Sequence, residues 1–159
     1  MTKNKYLSFF LILLITFIPS IVGGYTTASF KEPWYSEITL PSFNPPSWVF
    51  APVWTSLYIL MSIAMWRIWI KFFDKKILNI YLAHLFFNTT WSVIFFGFHN
   101  ILLALLNLTI ILTFVIFLMK IYYNKDKISF YLMIPYFLWT SYAFTLNFAI
   151  YLLNKGAIN

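Results

Sequence analysis

The chain has 159 residues, of which 62% are hydrophobic and only 9% charged, and its mean hydropathy is +0.80. A soluble domain of this length cannot cover so much apolar surface, so lipid is the expected solvent for most of it. The net charge of +7 does not call for nucleic acid, because the basic residues sit at the ends of apolar runs, and the absence of cysteine excludes disulfides, thiolate metal sites and cysteine nucleophiles.

The apolar runs are continuous and do not alternate as barrel strands would, which predicts an all-α polytopic membrane protein. Five runs fit a five-transmembrane-helix bundle in a single domain, 1–159, with spans at about 6–26, 47–72, 77–98, 101–123 and 128–154. The first run follows Lys3 and Lys5 and is read as a retained helix, not a cleaved signal peptide, since it is long for an h-region and no A-x-A site follows. Pro19 predicts a bend in it, and Gly23-Gly24 allows close helix approach. A polar, proline-broken loop carrying Glu37, Pro41, Asn44, Pro45 and Pro46 then leads into the second span, and Pro46 suits a helix start.

Five spans place the N-terminus, the second-to-third turn and the fourth-to-fifth turn on one side. That side carries nine basic residues (Lys3, Lys5, Arg67, Lys71, Lys75, Lys76, Lys120, Lys125 and Lys127) against two, Lys31 and Lys155, on the other. The bias predicts a cytoplasmic N-terminus in a bacterial inner membrane. The proline loop and the C-terminus then face outward.

Depth follows from ~1.5 Å of rise per residue. Trp54, Trp91, Asn88, Asn107, Asn147 and Trp139 fall in the half of the bilayer beneath the proline loop. Helical spacing puts Trp54, Tyr58, Met61 and Met65 on one face, Asn88, Trp91 and Phe95 on another, and Trp139, Ala143, Leu146 and Asn147 on a third. An amide in hydrocarbon is costly unless paired, so the three asparagines are expected to point inward. Each residue alone reads as interhelical glue or packing; together they predict a pocket. Trp48, Trp66 and Trp69 lie near the surfaces and are expected to be belt residues.

His84 and His99, ~22 Å apart along one predicted helix, cannot share a haem iron. The four acids, Glu32, Glu37, Asp74 and Asp126, lie in loops or at helix ends, so neither a metal site nor a buried proton relay is expected.

Three blocks, WYSEITLPSFNPPSWVFAPVWTSLYILMSIAMWRIW, FFNTTWSVIFFGFHN and IPYFLWTSYAFTLN, resemble the signature blocks of the TspO/MBR family, the tryptophan-rich sensory proteins and animal translocator proteins. The resemblance spans nearly the whole chain, with departures at Leu40, where the family usually has lysine, and His84, where glutamine is common. It implies a five-helix homodimer that binds porphyrins such as protoporphyrin IX and, in some members, sterol or other flat hydrophobic ligands. The resemblance also implies that no cofactor is required, porphyrin being the ligand. The pocket residues it implies are Tyr35, Pro46, Trp54, Tyr58, Asn88, Trp91, Trp139, Ala143, Leu146 and Asn147. Some bacterial relatives degrade protoporphyrin in light, which would give Trp54 and Trp139 a catalytic role. A receptor or carrier is therefore expected, with a porphyrin-degrading enzyme and a ligand-free structural or regulatory subunit as alternatives. The pattern Leu146, Tyr151, Lys155 fits a loose sterol motif, but it is read here as an interfacial tyrosine and a snorkelling lysine.

Overall fold

The computed structural model describes residue 2 and residues 4–156. Lys3, counted above in the basic face, lies outside the described residues. Five long helices and one short one account for most of the chain: α1 (Lys5–Phe30), α2 (Trp34–Glu37), α3 (Ser47–Phe72), α4 (Lys75–Ser92), α5 (Ile101–Lys125) and α6 (Lys127–Asn154). Among the described residues there is no strand. A π-turn, Val93–Gly97, extends α4.

Asparagine or aspartate opens four of the long helices. Asn4, Asp74, Asn100 and Asp126 each accept a backbone N–H of the first turn, which satisfies donors that no intrahelical carbonyl can reach. Pro46 precedes α3 in an extended conformation, as the sequence predicts, and Pro52 falls early enough to be tolerated. α3 ends at Phe73 in the left-handed region, φ 49°, where the chain turns sharply into Asp74.

α1, α3, α4 with its π-turn, and α5 are long and apolar enough to cross a membrane. α6 is the longest helix at 28 residues, but Pro135, Trp139, Thr140, Ser141, Tyr142, Thr145 and Asn147 dilute its apolar run. By length and hydropathy the predicted five spans therefore stand at four among the described residues. The chain is a multi-pass membrane protein built of apolar helices.

The helices pack in the ring α1–α3–α6–α5–α4 and back to α1. The end that carries the N-terminus and the α3–α4 and α5–α6 turns, the basic end, is filled. Met61, Met65, Ile68, Trp69, Tyr81, Leu118, Tyr122 and Met133 are completely or almost completely buried there. Lipid is as apolar as these side chains, so close packing and hydrogen bonds, not water exclusion, hold such an interior together. Thr16 Oγ1 and Tyr81 Oη, 2.8 Å apart, tie α1 to α4. The indole N–H groups of Trp66 and Trp69 donate to the carbonyls of Lys5 and Thr2, at 3.1 and 3.0 Å. Trp69 is thus a buried clamp on the N-terminus, not the belt residue predicted. Trp48 is exposed, as expected of an interfacial tryptophan.

At the same end Asp126 bridges helices. Its carboxylate accepts from Arg67 Nε at 2.9 Å, Lys71 Nζ at 2.6 Å and Ser129 Oγ at 2.7 Å. Burial works to raise its pKa, but the hydrogen bonds from Arg67, Lys71 and Ser129 together outweigh that and hold the carboxyl well below the usual range. Sequence reading placed Asp126 at a helix end without seeing that α3 supplies both of its counter-ions.

Candidate functional site

At the opposite end, the loop end, the ring opens around a cavity of about 470 Å³, within the range of small-molecule sites. α1, α3, α4, the π-turn and α6 form its walls, with a smaller contribution from α5. Nine of the ten predicted pocket residues line it: Tyr35, Trp54, Tyr58, Asn88, Trp91, Trp139, Ala143, Leu146 and Asn147. Pro46 does not. It caps α3 with its ring exposed, and its neighbour Ser47 takes the place at the wall.

The aromatic walls are set by pairs of rings. Trp54 stacks on Tyr58 one turn along α3, with centroids 5.4 Å apart. Trp91 stacks on Phe95 across the start of the π-turn at 5.1 Å. Phe50 meets Trp139 edge-on at 6.0 Å.

Paired polar groups form the floor. Tyr58 Oη donates to Asn88 Oδ1 at 2.8 Å, and Asn88 Nδ2 donates to Tyr136 Oη at 2.9 Å. Tyr136 Oη lies 2.7 Å from Nε2 of buried His84, which therefore belongs to the layer beneath the cavity and does not line it. On the far wall Trp91 Nε1 donates to Asn147 Oδ1 at 3.3 Å, and Asn147 Nδ2 to the carbonyl of Ile101 at 3.1 Å. These amides act at once as glue between helices and as part of the cavity surface. Asn107, at the same depth, is glue alone: its Nδ2 donates to the carbonyl of Phe87 at 2.9 Å, and it faces away from the cavity. Met61 and Met65, on the predicted face of Trp54, are packed in the core below. Trp139 Nε1 is buried in the wall without a hydrogen-bond partner, which costs free energy unless a ligand acceptor or water meets it.

The α1–α3 connection covers the loop end. Thr39 N donates to Asn154 Oδ1, and Asn154 Nδ2 returns a bond to the Thr39 carbonyl, both at 2.9 Å. Tyr142 Oη donates to the carbonyl of Phe43 at 2.7 Å, and Tyr35 Oη to Asn44 Oδ1 at 3.3 Å. Burial, opposed by the Asn44 bond, pushes the Tyr35 hydroxyl pKa up. Trp34 stacks on His99 with centroids 4.6 Å apart. His99 is not on the α4 helix as predicted; it sits in the turn beyond, at φ 52°, 3.0 Å from the carbonyl of Phe30.

Sequence reasoning missed the α1 wall. Ser20, Gly23, Gly24, Thr27 and Ala28 line the cavity as a stripe of small residues at helical spacing, a signal present in the sequence. It anticipated close approach at Gly23-Gly24. A Cβ on Gly23 would stand 2.8 Å from Ser92 Oγ, whereas one on Gly24 would meet nothing within 4 Å.

The chain is similar to known proteins over most of its length. The model of the TspO/MBR family matches residues 10–153. The chain belongs to the TspO/MBR family. It is 37% identical over 134 residues to the tryptophan-rich protein TspO of Archaeoglobus fulgidus, covering 83% of this chain and 87% of that one. It is 36% identical over 144 residues to the tryptophan-rich sensory protein of Cereibacter sphaeroides, with 89% and 91% covered. The translocator protein of Homo sapiens is 30% identical over 128 residues, with 77% and 76% covered. The family match reaches from α1 to the end of α6, so it takes in every wall of the cavity.

Proposed function

We propose that this TspO/MBR member is an integral membrane receptor or carrier for flat, hydrophobic tetrapyrroles of the protoporphyrin IX type. All five long helices cross the bilayer in this reading, with the N-terminus cytoplasmic and the α1–α3 loop outside. The basic-residue asymmetry supports that orientation, and the bacterial relatives support an inner membrane. α6 crosses with Thr140 and Asn147 buried in the interior and with the Ser141 and Thr145 hydroxyls bonded back to carbonyls of their own helix, which accommodates its low hydropathy.

One observation carries the ligand class: Trp54, Trp91 and Trp139, from three different helices, wall one cavity together with Asn88 and Asn147. Planar aromatic faces supply contact area to a planar macrocycle, and the few amides orient it. Titration of the purified protein with protoporphyrin IX should quench tryptophan fluorescence saturably, with affinity about tenfold weaker in Trp139→Ala, the loss of one large aromatic contact. A folded preparation that shows no saturable quenching rejects the proposal.

The same titration separates the alternatives. Light- and dioxygen-dependent breakdown of the porphyrin would give a new absorbing product that Trp54→Phe with Trp139→Phe abolishes while binding survives. A structural or regulatory subunit would bind no porphyrin at all.

A further inference from the structure

Among the described residues that line the cavity, Lys31 alone carries a formal charge. It follows the last turn of α1 and its backbone N–H closes that turn on the Thr27 carbonyl. Its side chain is only 26% exposed, and Nζ lies 5.0 Å from the ring centroid of Tyr35, itself a wall residue. The ammonium therefore sits at the loop-end rim of a chamber that is otherwise aromatic, aliphatic or neutral.

Its present counter-ion is weakly held. Glu32 Oε1 is 3.4 Å from Lys31 Nζ, and the Glu32 side chain is 53% exposed. An ion pair this open to solvent is worth little and exchanges readily. Glu32 also has another partner, since Ser36 Oγ donates to its carboxylate. That bond, ahead of the effect of Lys31, lowers the Glu32 pKa. Glu32 is thus satisfied if Lys31 turns to another anion.

We infer that Lys31 is the anion-recognising residue of this cavity, which selects amphiphiles with a planar apolar body and a carboxylate at the rim. The inference rests on the ligand-binding reading above. The apolar body lies against the tryptophans, and the acid group meets the Lys31 ammonium in a charge-assisted hydrogen bond, stronger than a neutral one. A neutral ligand of the same shape fills the same chamber and draws nothing from Lys31.

The test compares protoporphyrin IX with its dimethyl ester, which keeps the macrocycle and lacks the carboxylates. Both are titrated against the full chain in lipid nanodiscs, as wild type, Lys31→Met, Lys31→Arg and Glu32→Gln. Lys31→Met should weaken the diacid about tenfold and leave the ester unchanged, the order expected for one hydrogen bond to a charged group. Lys31→Arg should retain diacid binding. Glu32→Gln should tighten it, because the competing carboxylate is gone; a purely structural Lys31–Glu32 pair would instead make that variant weaker. Added salt should weaken the diacid in wild type and hardly affect it in Lys31→Met. Equal losses for diacid and ester in Lys31→Met, or no loss for either, would overturn the role of Lys31 while leaving the pocket intact. If neither compound binds wild type saturably, the ligand reading fails and the inference with it.

Discussion

The two ends of the bundle use the same helices to opposite effect. At the basic end the ring is solid, and Met65, Ile68, Tyr122 and Met133 leave essentially no surface exposed. At the loop end the same ring stands apart around a space, and Trp54, Trp91 and Trp139 are each only partly buried. The polar chemistry differs in parallel. The basic end uses full charges at its margin, with Asp126 between Arg67 and Lys71, whereas the loop end uses neutral amides and phenols bonded in series around the cavity. In lipid no water-driven collapse closes a gap between helices, so a hollow persists where wall residues are held by bonds to each other. Stability and binding should therefore be separable by mutation.

The largest effect is expected at Asp126. Asp126→Ala removes the counter-ion of two cations and the N-cap of α6, and should lower stability by about 2–3 kcal/mol. Thermal unfolding in detergent measures the loss, while porphyrin affinity of the folded fraction stays as in wild type. Since the carboxyl pKa is depressed in the folded state, its contribution is complete at neutral pH. It declines once pH falls past about 4, the unfolded value. Lys71 is substantially exposed, so salt should remove part of the effect. If Asp126→Ala weakens ligand binding as strongly as it lowers the melting temperature, the two ends are coupled and the contrast between them is wrong.

That contrast was only half legible in the sequence. Continuous apolar runs predicted the long helices, and counting depth from their ends put Trp54, Asn88, Trp91, Asn107, Trp139 and Asn147 in one half of the bilayer; all of these but Asn107 line the cavity. What counting could not give was the rotation of each helix about its own axis. These helices are apolar all round, because one face meets lipid and the other meets protein, so periodicity leaves the facing direction open. Asn107 shows the consequence: it shares the depth of Asn147 but turns to the backbone of α4. Trp69 shows another, since its burial depends on a carbonyl at the N-terminus that no local pattern encodes. The π-turn at Val93–Gly97, which sets Phe95 and Phe96 in the wall, likewise has no cue in composition. Lys31 was counted only as one of two basic residues on the sparser side, because its place at the rim depends on how the end of α1 meets α2.

A change to the covering loop should act on the loop end alone. Asn154→Ala breaks the reciprocal pair with the Thr39 backbone. Thr39 is exposed, so water takes over the freed groups and the cost is about 1 kcal/mol. The loop that carries Leu40 and Asn44 then loses its tie to the end of α6. Bound porphyrin should leave several-fold faster, read by stopped-flow recovery of tryptophan fluorescence, with the melting temperature nearly unchanged. An unaltered off-rate would mean that the loop covers the cavity without retaining what is in it.

The smallest effect, and the finest division between the two kinds of packing, lies within the single pair Gly23-Gly24. Alanine is the better helix former by about 0.5–1 kcal/mol, so on propensity alone both substitutions should stabilise α1. At Gly24 nothing stands within 4 Å of the new methyl, and Gly24→Ala should keep that gain. At Gly23 the methyl meets Ser92 Oγ at 2.8 Å. The hydroxyl is the far end of a rotatable side chain, so Ser92 turns aside and α1 stays against α4, but the adjustment consumes the gain. Gly24→Ala should therefore melt higher than Gly23→Ala by one to a few degrees, about 0.5–1 kcal/mol for a chain of this size. Equal melting temperatures would mean that α1 is not held against α4 at Ser92, and that the small-residue wall of the cavity is looser than its geometry indicates.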